Sequence, residues 1–215
     1  MTAPTDVAAF HAEFDWHPDD RVGLFDAVAQ QLPATTPVLY PGSYVDIAPS
    51  VWFDTVTYID TDKRAARFFA ETDAVHELVR DKRRSVATRA TELHLRFHHA
   101  DYTDPVPAQD QSSGLLVSLY AGFISEHCTE ALAIGGTLLV NPSHGDAAMA
   151  SIDPRYQLSG VINARSGRYQ ITTDDLDTYL IPKKRQNVTV EGLHASGRGI
   201  AYTRGAFAYL FTRVA

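Results

Sequence analysis

GLLVSLYAG (114–122) decides the fold, because it is an almost continuous apolar run. Such a run is typical of a parallel strand that is buried on both faces of a sheet. The next segment, FISEHCTEAL (123–132), predicts a helix that the pair Gly135 and Gly136 ends. TLLVN (137–141) then predicts another strand, so this part of the chain has the strand–helix–strand pattern of an α/β sheet.

Upstream of this unit, three short segments rich in apolar and β-branched residues predict further strands, near 38–41, 56–60 and 93–98. With strands near 115–119 and 137–141 they are expected to form one parallel sheet. Apolar residues at helical spacing predict helices before the first of these strands and after the second. A helix with Asp19 or Asp20 as its N-cap and Pro33 as its end is expected before the first strand, and helical faces follow residue 62.

After residue 150 the pattern changes to strands joined by short turns. YQLSGVINA (156–164), GRYQIT (167–172) and AFAYLFTRV (206–214) predict antiparallel strands that extend the sheet at an edge. The expected fold is therefore α/β: a Rossmann-like, doubly wound, mostly parallel sheet of about seven strands with an antiparallel C-terminal edge.

One domain is expected over residues 1–215. It would comprise an N-terminal helical segment (1–35), a nucleotide-binding core (36–142), and C-terminal strands with substrate-side loops (143–215).

Composition limits the possible partners. The formal net charge of −7 disfavours nucleic acid, and the basic segment DKRRSVATR (81–89) is expected to be a solvated helix end followed by a loop. A single cysteine, Cys128, excludes an intramolecular disulfide and is expected to pack in the core from within a helix. No apolar run approaches the length of a membrane span, and a cytoplasmic protein without a membrane partner is expected.

Ligands of doubly wound sheets bind outside the carboxyl ends of the strands. Gly42 ends the first strand with a turn that lets backbone approach a ligand, and Asp60 ends the second, 18 residues later. That is about the separation at which an acid accepts hydrogen bonds from ribose hydroxyls. Asp62 is the expected cap of the next helix, while Asp60 is the expected ligand. Asp101 and Ser118 follow the third and fourth strands.

Four segments together resemble the class I methyltransferases that use S-adenosylmethionine: VLYPGS, YIDTD, HHADYTD and LAIGGTLLV, within residues 36–142. The resemblance implies a cofactor loop after the first strand, with Gly42 and Ser43. It also implies that Asp60 holds the ribose and that Asp101 contacts the adenine amine. S-adenosylmethionine is the cofactor that it implies, and methyl transfer to a small molecule the activity.

Tyr44 and Asp46 stand where this family usually carries glycines. The Tyr44 side chain is expected either to cover the methionine end of the cofactor or to fill that space. Asp46 is expected to receive the amino group of the cofactor, because a carboxylate suits an ammonium.

NPSHGDA (141–147) follows the fifth strand and gathers polar groups on the expected substrate side. His144 could act as a base there, since its unperturbed pKa lies near neutrality, and Tyr120 is the second candidate catalytic residue. A polar loop with its own hydrogen bonds is the alternative interpretation. His98 and His99 point to opposite faces of a strand, so no metal site is predicted.

Two other functions remain open on the sequence. One is a non-catalytic nucleotide-binding or regulatory module of the same fold. The other is a nicotinamide-dependent oxidoreductase, against which the missing G-x-G-x-x-G motif counts.

Overall fold

The computed structural model describes residues 6–15, 21–86, 91–104, 112–185 and 187–215. The expected caps Asp19 and Asp20 lie outside these ranges. The strands are β1 (Val38–Pro41), β2 (Thr55–Asp60), β3 (His94–His99), β4 (Ser113–Ser118), β5 (Leu132–Val140), β6 (Tyr156–Arg165), β7 (Arg168–Thr172) and β8 (Ala208–Arg213). The helices are α1 (Val7–Asp15), α2 (Arg21–Ala29), α3 (Pro49–Trp52), α4 (Lys63–Ala70), α5 (Thr72–Ser85), α6 (Ile124–His127), α7 (Asp146–Ile152) and α8 (Val190–Ser196).

All eight strands form one sheet in the order β3-β2-β1-β4-β5-β8-β6-β7. The first five pair in parallel, which confirms the parallel sheet predicted from the apolar runs. The order reverses direction between β1 and β4, so the switch point lies at the carboxyl ends of these two strands.

The last three strands are antiparallel, as predicted. β8 inserts between β5 and β6 and pairs antiparallel with both, and β6 and β7 form the edge hairpin. The sheet therefore has eight strands, one more than the approximate number expected.

Alternation along the strands divides the core between the two faces of the sheet. On β1, Val38 and Tyr40 belong to a cluster with residues of α2, α4 and α5, whereas Leu39 belongs to a cluster with residues of α6, α7 and α8. Helices thus cover both faces, which is the doubly wound arrangement. Within the described ranges, none of the helices is long and apolar enough to cross a membrane.

The prediction for residues 123–132 was wrong in extent. The helix is the four-residue α6, a short 3-10 turn follows, and β5 begins at Leu132 with Gly135 and Gly136 inside it. Gly135 has φ +82°, and the pairing with β4 jumps in register across this region, so the glycines form an irregularity in a strand and not a helix stop. Cys128 caps α6 at its C-terminus and is 2% exposed, and burial raises its thiol pKa to about 12.

The basic segment also differs from expectation, because Arg83 near the end of α5 is buried. Its guanidinium donates to the carbonyl oxygens of Ser50 and Phe53, at 2.9 and 2.8 Å, and pairs with Asp54 at 3.2 Å. This side chain therefore joins α5 to α3 and to the entry of β2.

Candidate functional site

The loop after β1 is tied to the end of β2 by Asp60. The Tyr44 N–H donates to Oδ2 of Asp60 at 2.6 Å, and the Asp62 N–H donates to Oδ1 at 2.8 Å. The Gly42 N–H donates to the Ile59 carbonyl at 2.8 Å. Asp62 is the N-cap of α4, as predicted from its position. Asp60 is half-buried, and its orientation is fixed by two backbone donors.

Gly42 brings the loop after β1 against the loop after β4. It has φ +66°, and a Cβ at this position would lie 2.5 Å from the Cβ of Ala121. A larger residue at 42 would therefore strain the backbone and collide with the neighbouring loop. The close approach that the sequence assigned to a ligand is, at this point, an approach of protein to protein.

Asp46 lies beneath the site and is only 2% exposed. Its Oδ2 pairs with Nη1 of Arg21 at 2.7 Å and accepts from the Tyr40 hydroxyl at 3.0 Å. Its Oδ1 accepts from the Ala48 N–H at 3.0 Å. Burial opposes the charge on Arg21, but Tyr40 and Asp46 raise its pKa above the ordinary value. The carboxylate expected to receive a cofactor amino group already holds an internal cation.

Tyr44 and Tyr120 both have left-handed backbone conformations, with φ +48° and +58°. Non-glycine residues keep such conformations only where surrounding contacts enforce them, and these residues concentrate at functional sites. The Tyr44 ring lies 5.1 Å from the guanidinium of Arg64 and 6.2 Å from the Phe10 ring. The Tyr120 ring lies 5.1 Å from the guanidinium of Arg21 and is 44% exposed.

A chain of hydrogen bonds connects the loops after β4 and β5. Asn141 Oδ1 accepts from the Tyr120 N–H at 3.3 Å and from the Ser143 hydroxyl at 2.8 Å. Ser143 Oγ also lies 2.9 Å from Nδ1 of His144. Because the hydroxyl proton goes to Asn141, a neutral His144 must donate from Nδ1, which leaves Nε2 as the basic nitrogen. His144 is exposed, so Nε2 is available to a substrate.

Ser118 points to the interior and not to an open surface. Its hydroxyl donates to Oδ2 of Asp146 at 2.5 Å, and the same carboxyl accepts from the Ser125 N–H at 3.1 Å and from the Ser125 hydroxyl at 2.5 Å. Burial raises the pKa of Asp146 to about 6, although these hydrogen bonds act in the opposite direction and lower it. This buried cluster holds the start of α7 against α6.

Asp101 forms a turn through its own side chain. Its Oδ1 accepts from the Thr103 N–H at 2.9 Å and from the Thr103 hydroxyl at 2.8 Å, and these two bonds lower its pKa. Ser43 is buried, and its hydroxyl lies 3.4 Å from the Tyr44 carbonyl oxygen.

The carboxyl edge of the sheet thus assembles two groups of predicted residues. In the first group, Tyr44 bonds directly to Asp60, and Gly42 bonds to Ile59, the residue before Asp60. In the second group, Tyr120 and His144 are connected through Asn141 and Ser143. Sequence reasoning missed Arg21, Tyr40 and Ser125. Arg21 meets Asp46 across 25 residues of chain, a separation that leaves no periodic signal. In the described part of the chain, no three His, Cys, Asp or Glu side chains converge in a way that could hold a metal ion.

No family model matches this chain, and a search among curated proteins finds no match. Among solved structures, similarity extends to a methyltransferase from Geobacter sulfurreducens, with 14% identity, coverage of 80% of this chain and 90% of that one, and a TM-score of 0.49. A Thermotoga maritima protein described as an SAM-dependent methyltransferase, possibly a histamine N-methyltransferase, has 12% identity, coverage of 98% and 96%, and a TM-score of 0.48. A glycopeptide N-methyltransferase complexed with S-adenosylhomocysteine has 15% identity, coverage of 98% of each chain, and a TM-score of 0.43.

Similarities of this size say nothing about the reaction of this chain. In this chain, the first five strands are parallel, and the last strand, β8, pairs antiparallel with β5. The chain has a Rossmann-like, doubly wound α/β fold with an antiparallel C-terminal edge.

Proposed function

We propose that the carboxyl edge of this sheet binds S-adenosylmethionine and that the protein transfers a methyl group to a small-molecule acceptor. The observation that carries the proposal is the placement of Asp60. It ends β2, beside β1 at the switch point, and two backbone amides hold it in one orientation. A carboxylate offers about four acceptor positions. With two used by amides, about two are left for the vicinal hydroxyls of a ribose.

The donor set suits the ribose end of the cofactor better than the methionine end. Asp60 is half-buried and acceptor-only, which matches two hydroxyl donors. At the other end, Arg21 already neutralises Asp46, so a cofactor ammonium would find its expected partner engaged. We therefore assign the ribose to Asp60 and treat Gly42, Ser43 and Tyr44 as the backbone that surrounds it. Asp46, Asp101 and Ser118 remain candidates of lower rank, because each already has internal partners.

His144 and Tyr120 supply the acceptor side of the proposed reaction. Bound S-adenosylmethionine would supply an electrophilic methyl group, and transfer requires mainly that the acceptor atom be aligned with it. The exposed Nε2 of His144 could take the acceptor proton, while Asn141 and Ser143 orient the ring. The Tyr120 ring, exposed above Arg21, offers a surface against which an acceptor could pack.

Replacing Asp60 by alanine is expected to weaken binding of S-adenosylhomocysteine by roughly 5- to 150-fold, because about 1–3 kcal/mol of hydrogen bonding to the ribose is lost. Isothermal titration calorimetry measures this change. Asp62→Ala is the matched control, since it removes a carboxylate two residues away that caps α4. It should lower thermal stability while leaving the affinity unchanged. Equal loss of affinity in both variants would refute the ribose assignment.

A second function, a binding module without turnover, is favoured by one specific observation. Arg21 is paired with Asp46, so the carboxylate expected to receive the amino group of the cofactor is already engaged by the protein itself. Such a module would bind adenosine and S-adenosylhomocysteine with similar affinity, because the amino-acid part of the ligand would gain no contacts. An enzyme of the proposed kind would prefer S-adenosylhomocysteine, and competition calorimetry with both ligands distinguishes the two.

A further inference from the structure

A basic cavity lies next to the His144 loop, outside the groups considered so far. It has a volume of about 450 Å³ and is lined by Lys183, Lys184 and Arg198, together with polar and apolar residues of the same C-terminal region. The volume is within the range of small-molecule sites. Among the described residues that line it there is no Asp or Glu. The whole chain has a net charge of −7, so the three cations make the charge around this cavity opposite in sign to that of the protein.

Lys183, Lys184 and Arg198 line the cavity without a counter-charge in the part of the chain that the structure describes. Within the described ranges, none of them forms an ion pair. Arg21 and Arg83, by contrast, are paired with the carboxylates of Asp46 and Asp54. Cations that line one cavity repel one another, and an anionic ligand in that cavity reduces the repulsion.

Backbone hydrogen bonds and a buried side chain hold the walls of the cavity in place. The Lys183 N–H donates to the Ala201 carbonyl at 2.8 Å, and Pro182 and Tyr202 form an antiparallel bridge. Between these two segments lies α8, which Thr189 caps by accepting from the Gly192 N–H at 3.1 Å. Leu193 anchors α8 in the core at 3% exposure. The frame that carries the lysines is therefore fixed by backbone bonds and by a buried side chain.

One wall of the cavity contacts the candidate catalytic loop. The Gly199 N–H donates to the Ser143 carbonyl at 3.1 Å. A Cβ on Gly199 would lie 1.8 Å from the Pro142 carbonyl oxygen, so only glycine permits this contact. Arg198 and Gly199 both line the cavity, and Ser143 is the residue that orients His144. A ligand in the cavity would lie beside the base that the proposed reaction uses.

We propose that this cavity binds the anionic group of the acceptor, so that the substrate is a small molecule that carries a carboxylate or a phosphate. The identification of the ligand as a substrate rests on the proposed function, whereas the existence of the anion site does not. Lys183, Lys184 and Arg198 hold the anionic group by charge and hydrogen bonds, and the reacting end of the molecule extends towards His144.

Backbone-amide NMR of the native protein tests the site with sodium phosphate and, in a second arm, sodium acetate, each against sodium chloride at equal ionic strength. Saturable shifts are expected at residues 183–184 and 198–199 with at least one of the two anions. In the double variant Lys183→Gln/Arg198→Gln, binding should weaken about tenfold or more. The arm that saturates distinguishes phosphate from carboxylate.

The matched control is Arg165→Gln/Arg168→Gln, which removes two exposed cations that face each other across the β6–β7 hairpin. It makes the same change in net charge and should leave anion binding intact. Absence of saturable shifts with both anions, or equal weakening in both double variants, would overturn the anion site. So would a single-stranded oligonucleotide that binds the same amides more tightly than a mononucleotide does, because the ligand would then be a nucleic acid.

The outcomes separate this inference from the proposed function. If S-adenosylhomocysteine binds and neither anion does, the substrate class is wrong while the cofactor site stands. If an anion binds and S-adenosylhomocysteine does not, the cavity is an anion site of a protein that is no methyltransferase.

Discussion

Replacement of Arg21 by methionine should lower the free energy of unfolding by about 3–5 kcal/mol, the range for breaking a buried ion pair by removing one partner. Arg21 Nη1 lies 2.7 Å from Oδ2 of Asp46, whose side chain is 3% exposed. Without the guanidinium, a buried carboxylate would keep only the Tyr40 hydroxyl and the Ala48 N–H as donors. Urea-induced unfolding of the native protein and the variant measures the loss.

An exposed pair with the same separation provides the control. Arg64 Nη2 lies 2.7 Å from Oδ2 of Asp62, but the two side chains are 61% and 31% exposed. Arg64→Met should change the free energy of unfolding far less than Arg21→Met does, because water screens this exposed pair. The double variant Arg21→Met/Asp46→Asn should recover much of the stability that Arg21→Met loses, since no charge then stays buried. Similar losses in Arg21→Met and Arg64→Met would show that the Arg21 pair is not the buried anchor described here.

The second large effect concerns Asp146 and pH. Burial raises its pKa from 3.8 to about 6, so the folded state retains a proton that the unfolded chain has already lost. Its contribution to stability is complete below about pH 4 and is lost as the pH rises to about 6. A shift of about two pKa units corresponds to about 3 kcal/mol. The stability of the native protein relative to Asp146→Asn should therefore fall by about this amount between pH 4 and pH 7.

Asp146→Asn suits the comparison because an amide can donate to the Ser118 hydroxyl oxygen and still accept from Ser125. Asp62 gives a control of opposite sign. Its pKa is lowered, first by the side chain of Arg64 and then by the Arg64 N–H, so the native protein should gain stability over Asp62→Asn as the pH rises. A native protein that gains stability over Asp146→Asn with rising pH would show that the hydrogen bonds of Asp146 outweigh its burial.

The strands could be predicted from the sequence because burial on both faces requires apolar runs. The runs at 38–41, 56–60 and 115–119 each coincide with a parallel strand to within two residues. The predicted strand at 137–141 is shorter than β5 because a pair of glycines, Gly135 and Gly136, usually indicates the end of a helix. Only pairing with β4, a contact distant in sequence, holds these glycines within a strand. The insertion of β8 between β5 and β6 likewise depends on tertiary packing that no local pattern records.

At the site, features that depend on neighbouring residues could be predicted, whereas contacts between distant parts of the chain could not. Asp62 was correctly separated from Asp60 because an N-cap is defined by its distance from the first helical turn. The polar loop 141–147 was identified as a unit, but its members divide between two structures. Ser143 and His144 bond at the surface, while Asp146 turns inward to Ser118 and Ser125. The direction of each side chain depends on α7, which begins at Asp146, and this start has no distinctive signal in the sequence.

The central claim is a nucleoside site built on Asp60, at the end of β2 and next to the switch point of the sheet. Calorimetric titration of the native protein with S-adenosylhomocysteine, with NAD as a comparison ligand, tests this claim most directly. The account predicts saturable binding of S-adenosylhomocysteine at one site and no saturable binding of NAD, because no G-x-G-x-x-G loop is present to receive a pyrophosphate. Absence of any saturable heat with S-adenosylhomocysteine, under conditions in which the protein is folded, would contradict it.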